Sequence, residues 1–373
     1  MPPWGPRPHE LDFPKQAWGV LVVPVKLPPA FSPPGTAASP RVARRGEERP
    51  AWIGVVDRIG DVWIVGVLGL MVLVFGLLNT QLFTKDAWLS ISNYSVQFLL
   101  LAAGQLFVIL TGGIDLSDGA ILGFTGMVSG AVMQSMLNSH EGNVVTTVAG
   151  FLVALVLGAL IGFGNGFLIT RLKLPPFIVT LGSLTAIGAA PSLINGGTEV
   201  SNLPPQIGTI GTSAIGGWVY TTFLVAVVVT VGFGLLLHRT RFGLRTFAIG
   251  SNGLSARRAG INVDRHIVLV YTISGLLSGL AGMMVMANFN VANPLSGQND
   301  ELDAIAAVVI GGASLFGGRG HMLGTFVGTM IISLLVTGLV LVNVNGSWTE
   351  VATGVIIVAA VALDQVRLRL AER

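Results

Sequence analysis

From Asp61 onward the chain is a series of long apolar runs separated by short polar breaks. At about 1.5 Å rise per residue, a run of roughly 20 residues crosses a hydrocarbon core of roughly 30 Å. On that basis ten spans are predicted, at 62–79, 88–110, 119–136, 144–170, 177–195, 218–237, 267–287, 304–316, 322–342 and 348–363. The eighth is short and runs into GGASLFGGRG at 311–320, so it is expected to be tilted, broken or re-entrant. Span two ends in a similar way, in TGGIDLSDG at 111–119. The fold class expected is therefore an all-α polytopic membrane protein of about ten transmembrane helices, one of them short or broken. Its membrane domain would cover 59–366, between polar tails at 1–58 and 367–373.

Glycines recur within these runs at a spacing of four: Gly119 with Gly123, Gly126 with Gly130, Gly158 with Gly162 and Gly166, Gly275 with Gly279, and Gly320 with Gly324 and Gly328. That spacing puts small residues on one helical face and lets two backbones approach. Gly112-Gly113-x-x-Leu116 followed by Leu122-Gly123 also resembles Gly311-Gly312-x-x-Leu315 followed by Leu323-Gly324. A duplicated five-span unit would leave such a trace, and so would chance recurrence in a glycine-rich chain.

The polar breaks orient the spans. Between spans six and seven lies HRTRFGLRTFAIGSNGLSARRAGINVDRH, residues 238–266, with six arginines against one acid in a chain that is only 10% charged. An arginine at a bilayer centre costs roughly 2.5 to 3.5 kcal/mol on insertion scales, so this loop is expected in the cytoplasm. With an even number of spans and the amino terminus inside, the arginines at 41, 44, 45, 49 and 58, Arg171 and Lys173, Arg319, and Arg367, Arg369 and Arg373 join it there. The other face holds Lys85, Asp86, His140, Glu141, Glu199, Asp300, Glu301 and Asp303. Both termini are thus expected to be cytoplasmic.

Composition agrees with this reading. The chain is 52% hydrophobic with a mean hydropathy of +0.76, values outside those of ordinary soluble globules. It has no cysteine, which excludes disulfides and thiolate chemistry. Positive-inside topology explains the net charge of +3 more simply than nucleic-acid binding does. Residues 1–50 hold twelve of the eighteen prolines and read as a disordered tail or an over-long start, not a signal peptide.

Motifs for bond-making chemistry are missing. Lys15, Lys26, Lys85 and Lys173 all lie outside any G-x-x-x-x-G-K-[ST] context, so the chain has no phosphate-binding loop. His9, His140, His238, His266 and His321 are scattered without metal-binding spacing, and neither a nucleophile elbow nor a cofactor motif is present. The carboxylates Asp115, Asp303, Glu350 and Asp364 fall near span ends, which disfavours a proton or sodium relay. An ion-coupled carrier or channel for a small polar solute remains the alternative class.

Three sets of residues are candidates for function. In the basic loop, Ser251 or Asn252 can cap a short helix from Gly253 to Ala259, with Gly260 supplying a left-handed end. Asn252, Ala256, Arg257, Arg258, Gly260 and Ile261 would then dock a soluble partner or anchor the loop on anionic lipid. Asp300, Glu301 and Asp303, before the eighth span, would meet an external partner or form a solvated acidic loop. Asn93, Gln97, Gln105, Asn165 and Asn288 are uncharged polar groups within spans, suited to a translocation path or to hydrogen bonds between helices.

AIGSNGLSARRAGINVDRHIVLVYTISGLLSGLAGMM at 248–284 resembles the coupling-loop region of ribose-type ATP-binding-cassette (ABC) importer permeases, whose consensus is SN-P-E-A-A-R-x-x-G-I. TGGIDLS at 111–117, NGFLITRLKLPPFIVTLG at 165–182 and NDELDAIAAVVIGGASLFGGRG at 299–320 resemble the same family in the same order. Together they extend the resemblance over roughly residues 60–365. The chain departs from the family at Gly253, Leu254 and Ser255, where Pro-Glu-Ala is favoured, and at Asp118, where a small apolar residue is usual. The resemblance implies a bacterial inner-membrane subunit that is not itself an enzyme. It would pair with a second permease copy, an ABC ATPase and an extracytoplasmic sugar-binding protein, and move a monosaccharide by alternating access.

Overall fold

The structure is a computed structural model that describes residues 51–371 apart from position 346, with side chains described between 64 and 359. The proline-rich stretch 1–50 lies outside the described residues. Thirteen α-helices follow in chain order: α1 Ala51–Leu78, α2 Lys85–Leu110, α3 Asp118–Asn138, α4 Asn143–Arg171, α5 Pro176–Ala189, α6 Pro205–Thr212 and α7 Thr221–Arg239. The remainder are α8 Arg241–Ser251, α9 Gly253–Arg258, α10 Val263–Phe289, α11 Asp300–Ile310, α12 Met322–Leu341 and α13 Ser347–Ala371. The only strands among the described residues are Ala214–Ile215 and Val219–Tyr220, a two-stranded antiparallel hairpin leading into α7.

Among the described residues seven helical segments are long and apolar enough to cross a membrane by length and composition, α5 being counted with its continuation to Leu193, and the protein is an all-α polytopic membrane protein. Each of the ten predicted runs is occupied by a helix, namely α1 to α5, α7 and α10 to α13. The first, eighth and tenth fall outside the seven: the part of α1 with described side chains, Ile64–Leu78, is short, α11 has 11 residues, and the apolar part of α13 is Ser347–Ala359.

Helix α2 is at the centre. Its second half, Val96 to Leu110, is apolar on nearly every side and almost wholly buried, because α7, α10, α11 and α12 enclose it. Helix α10 packs on α2, α3, α4 and α6. Glycines set its distance from α4: a methyl group at Gly158 would overlap the Gly275 carbonyl oxygen, and one at Gly162 the Tyr271 carbonyl oxygen. The side chains of Leu152, Val156 and Leu160 on α4, and of Val228, Val231 and Leu235 on α7, point outward.

The two glycine breaks are the same structural device. Helix α2 ends with Gly112 at φ +81° and a hydrogen bond from Gly113 N to Val108 O; α11 ends with Gly312 at φ +87° and one from Ala313 N to Val308 O. Each is a Schellman ending, with glycine supplying the left-handed residue. Conformation pairs Gly112 with Gly312, one residue away from the pairing that the sequence likeness suggests. The breaks close the second and eighth of the ten long elements, whereas a five-element displacement would pair the second with the seventh.

Candidate functional site

The basic loop folds into a chain of capped helices. The Thr240 side chain accepts from Phe242 N at 3.2 Å at the start of α8, Asn252 from Ser255 N at 2.9 Å at the start of α9, and Asn262 from Arg265 N at 3.0 Å at the start of α10. Helix α9 ends with Gly260 at φ +82° and a hydrogen bond from Ile261 N to Ala256 O at 3.1 Å. Each cap satisfies an amide that the helix itself leaves without a partner. Helix α9 and its caps lie where the sequence pattern puts them, and α8 is an additional helix within the basic loop. Thr240 as a cap, followed by inward-facing Gly243, Thr246 and Ile249, was the available signal.

The six residues expected in this module separate into two groups. Ala256 is buried and Ile261 half-buried, in an apolar cluster with Ile249 and Val263 that holds α9 on the bundle. Asn252, Arg257, Arg258 and Gly260 are exposed. Arg257 makes a two-pronged ion pair with Asp264, Nη2 to Oδ1 at 2.8 Å and Nη1 to Oδ2 at 3.3 Å, with both side chains more than half exposed. Leu254 projects outward at 73% exposure beside the arginines. The outer face of α9 is therefore basic with one apolar knob.

This module touches the core directly. Thr246 Oγ1 lies 2.8 Å from His266 Nε2, and the His266 ring packs on Phe242. Any side chain at Gly250 would overlap the Leu110 carbonyl oxygen, the last of α2. That same oxygen accepts from Gly318 N at 3.0 Å. The end of α8, the end of α2 and the turn after α11 thus meet at one point. Beside it His238 and His321, 83 residues apart in sequence, stack at 5.5 Å, and His238 Nε2 accepts from Met322 N at 3.2 Å.

Four of the five polar residues expected in the spans make hydrogen bonds between helices. Asn288 Nδ2 donates to Asn93 Oδ1 at 2.7 Å while its own Oδ1 accepts from Thr222 at 2.7 Å, so one amide joins α2, α7 and α10. Asn165 Nδ2 donates to Ser117 Oγ at 2.9 Å, and its Oδ1 accepts from Ser183. Gln105, with its amide nitrogen turned toward the acids, donates to Asp118 Oδ2 at 2.9 Å and to the Asp115 carbonyl at 3.1 Å. Gln97 is half-buried on α2.

These contacts surround two carboxyl groups whose burial the sequence concealed. Asp115, read as lying near a span end, is wholly enclosed and accepts from Ser117 N at 2.9 Å and Ser117 Oγ at 2.6 Å. Asp118 Oδ1 accepts from Ser274 at 2.8 Å and Ser278 at 3.2 Å. Ser274 and Ser278 are spaced by four, so both face Asp118 of α3, while the neighbouring Gly275 and Gly279 face α4. Among the described residues no group of three metal-ligating side chains occurs.

The acids at the start of α11 also point inward. Asp300 and Glu301 are 8% and 4% exposed, and Asp303 accepts from Thr353 of α13 at 2.8 Å. In this chain the three carboxyls line the interior end of a helix and do not form a solvated acidic surface.

A bundle of apolar helices with interior polar contacts and a capped basic elbow between two long helices is the architecture of a polytopic membrane protein. Residues 87–361 match the family described as branched-chain amino acid transport system / permease component. The chain is 38% identical to the ribose import permease protein of Bacillus subtilis over 323 residues, 86% of this chain and 96% of that protein. It is 35% identical to the fructose import permease protein of Rhizobium meliloti, covering 80% of this chain and 83% of that one. It is also 35% identical to the D-allose transport system permease protein of Escherichia coli, covering 83% and 92%. The chain belongs to this family of ABC importer permeases, multi-pass proteins of the bacterial inner membrane that are not themselves enzymes.

Proposed function

We propose that the chain is the transmembrane subunit of an ABC importer for a monosaccharide. An extracytoplasmic binding protein would deliver the sugar, and a separate ATPase subunit would drive alternating access in a dimer of permease chains. The observation that carries this reading is the α8–α9 elbow. It is capped at both helices, basic outside, and wedged by Gly250 against the ends of α2 and the turn after α11. A partner pressing on α9 would load the two broken helices through that contact, because α8 and α9 are joined by the single residue Asn252, whose side chain caps α9. The fold then acts as a bistable element whose two states the ATPase and the sugar bias differently.

In this reading the basic elbow is cytoplasmic, ten helical elements traverse the membrane with α11 crossing only part of it, and both termini are inside. The ribose, fructose and allose named for the relatives make a pentose or hexose the class of solute. The enclosed Asp115 and Asp118 favour a second reading, ion-coupled uptake, in which a proton would occupy the pair. The hydrogen bonds that both carboxylates already accept support the first.

Charge reversal at Arg257 and Arg258 (R257E/R258E) tests the assignment. The variant should insert normally yet lose sugar-stimulated ATP hydrolysis in the assembled complex. Normal stimulation would overturn the coupling role. Uptake abolished by a protonophore at constant ATP would instead favour the ion-coupled reading.

A further inference from the structure

At the end of α10 remote from the basic elbow, a cavity of about 390 Å³ lies between α3, the end of α5 and the loop before α11. That size is within the range of small-molecule sites, roughly 300 to 1,000 Å³. Glycines form its floor: side chains at Gly119 and Gly123 would overlap the carbonyl oxygens of Gly297 and Ser296, so the loop lies flush on α3. Thr185, Ser192 and Ser296 contribute polar groups to the wall, and Leu184 and Pro191 apolar ones.

Glu301 lines the same cavity. It is 4% exposed, its Oε2 rests against Gly119, and that oxygen has no hydrogen-bond partner among the described residues. A buried acceptor without a partner costs about 1 to 3 kcal/mol, more when charged, so the arrangement suits a ligand that brings its own donor. None of the lining residues is Lys, Arg or His, and the carboxylate excludes anions. Hydroxyl groups on a ring with apolar faces fit the mixture of Thr, Ser and Glu with Leu and Pro.

We propose that this cavity is a sugar-binding station of the translocation path, with Glu301 accepting a hydrogen bond from a hydroxyl of a neutral monosaccharide. This assignment rests on the importer reading above and gives that reading a location. It also moves Glu301 from an outward docking role to the solute itself.

The chain has no cysteine, so Ser296→Cys creates a single thiol in the cavity. In cells that naturally express the chain, deleted for the chromosomal copy, uptake of labelled D-ribose, D-fructose and D-allose is measured alongside reaction of that thiol with a charged methanethiosulfonate. The transported sugar should slow thiol modification. In the Ser296→Cys background, E301A should abolish that protection and reduce uptake about tenfold or more, the equivalent of one charge-assisted hydrogen bond. E301Q keeps the shape and one acceptor, so it should retain partial protection, and unchanged melting temperatures of both variants in detergent separate loss of binding from misfolding. Equal protection with and without Glu301, or unchanged uptake in E301A, overturns the proposal while leaving the importer reading intact. If the unsubstituted chain supports uptake of none of the three sugars, the importer reading fails and the ligand proposed here fails with it.

Discussion

The carboxylate of Asp118, at the first turn of α3, accepts a 2.8 Å hydrogen bond from the hydroxyl of Ser274 in the middle of α10. The two residues are 156 positions apart, and the bond secures the GGIDLS break to the helix that packs on most of the bundle. Asp118 departs from the resemblance seen in the sequence, and here it meets a matching set of donors, Ser274, Ser278 and Gln105.

D118A should therefore destabilise the protein by about 1 to 3 kcal/mol, the usual cost of stranding buried polar groups. Removing the stranded Gln105 donor as well, in D118A/Q105L, should recover part of the loss, because the two changes are coupled. Melting temperatures in detergent for the two variants and the parent check this. Equal loss in the single and double variants would contradict it.

The glycine faces predict a sharp contrast within one helix. G158A places a methyl group in the Gly275 carbonyl and should cost about 1 to 3 kcal/mol as an overpacking change, or more if α4 and α10 separate. Gly164, further along the same helix and on a different face, has nothing within 4 Å of the added carbon. G164A should be neutral or stabilise by up to about 1 kcal/mol through helix propensity. Thermal denaturation of both variants in one detergent gives the comparison.

The Arg257–Asp264 pair should contribute little to stability despite its two-pronged geometry. Both side chains are more than half exposed, so D264A should leave the melting temperature nearly unchanged, with any effect shrinking as salt is added. N252A removes a helix cap and should cost about 1 kcal/mol locally. Faster amide exchange confined to 253–261 in N252A, with D264A unchanged, would be the signature.

Topology is open to a direct test. A reporter fused at residue 250 should read cytoplasmic and one at residue 208 extracytoplasmic, because α7 separates the two positions. The opposite result would invert the arrangement of arginine-bearing loops on which the orientation rests.

Much of the architecture was legible in the chain. Apolar runs of membrane-spanning length located every long helix, and the short eighth run became α11, whose 11 residues cannot span a bilayer. The Asn252 and Gly260 pattern anticipated α9 because caps are local, set by a side chain and an amide a few residues apart. Helix α8 was missed because its arginines suggested a loop, although its buried side repeats at helical spacing.

The interior was not legible to the same degree. Asp115 and Glu301 stand beside span ends in the sequence, which suggests contact with water, yet both are buried because neighbouring segments close over them. Serines 274 and 278 read as ordinary small residues until α3 brings a carboxylate to them. Composition, period and local hydrogen bonds are enough to specify the class of protein, its helices and the capped basic elbow. Which polar groups meet, that the elbow bears on the end of α2 and the turn after α11, and that Glu301 lines a cavity follow from the packing alone. Those facts depend on approach between distant helices, and the glycines that permit it do not name their partners.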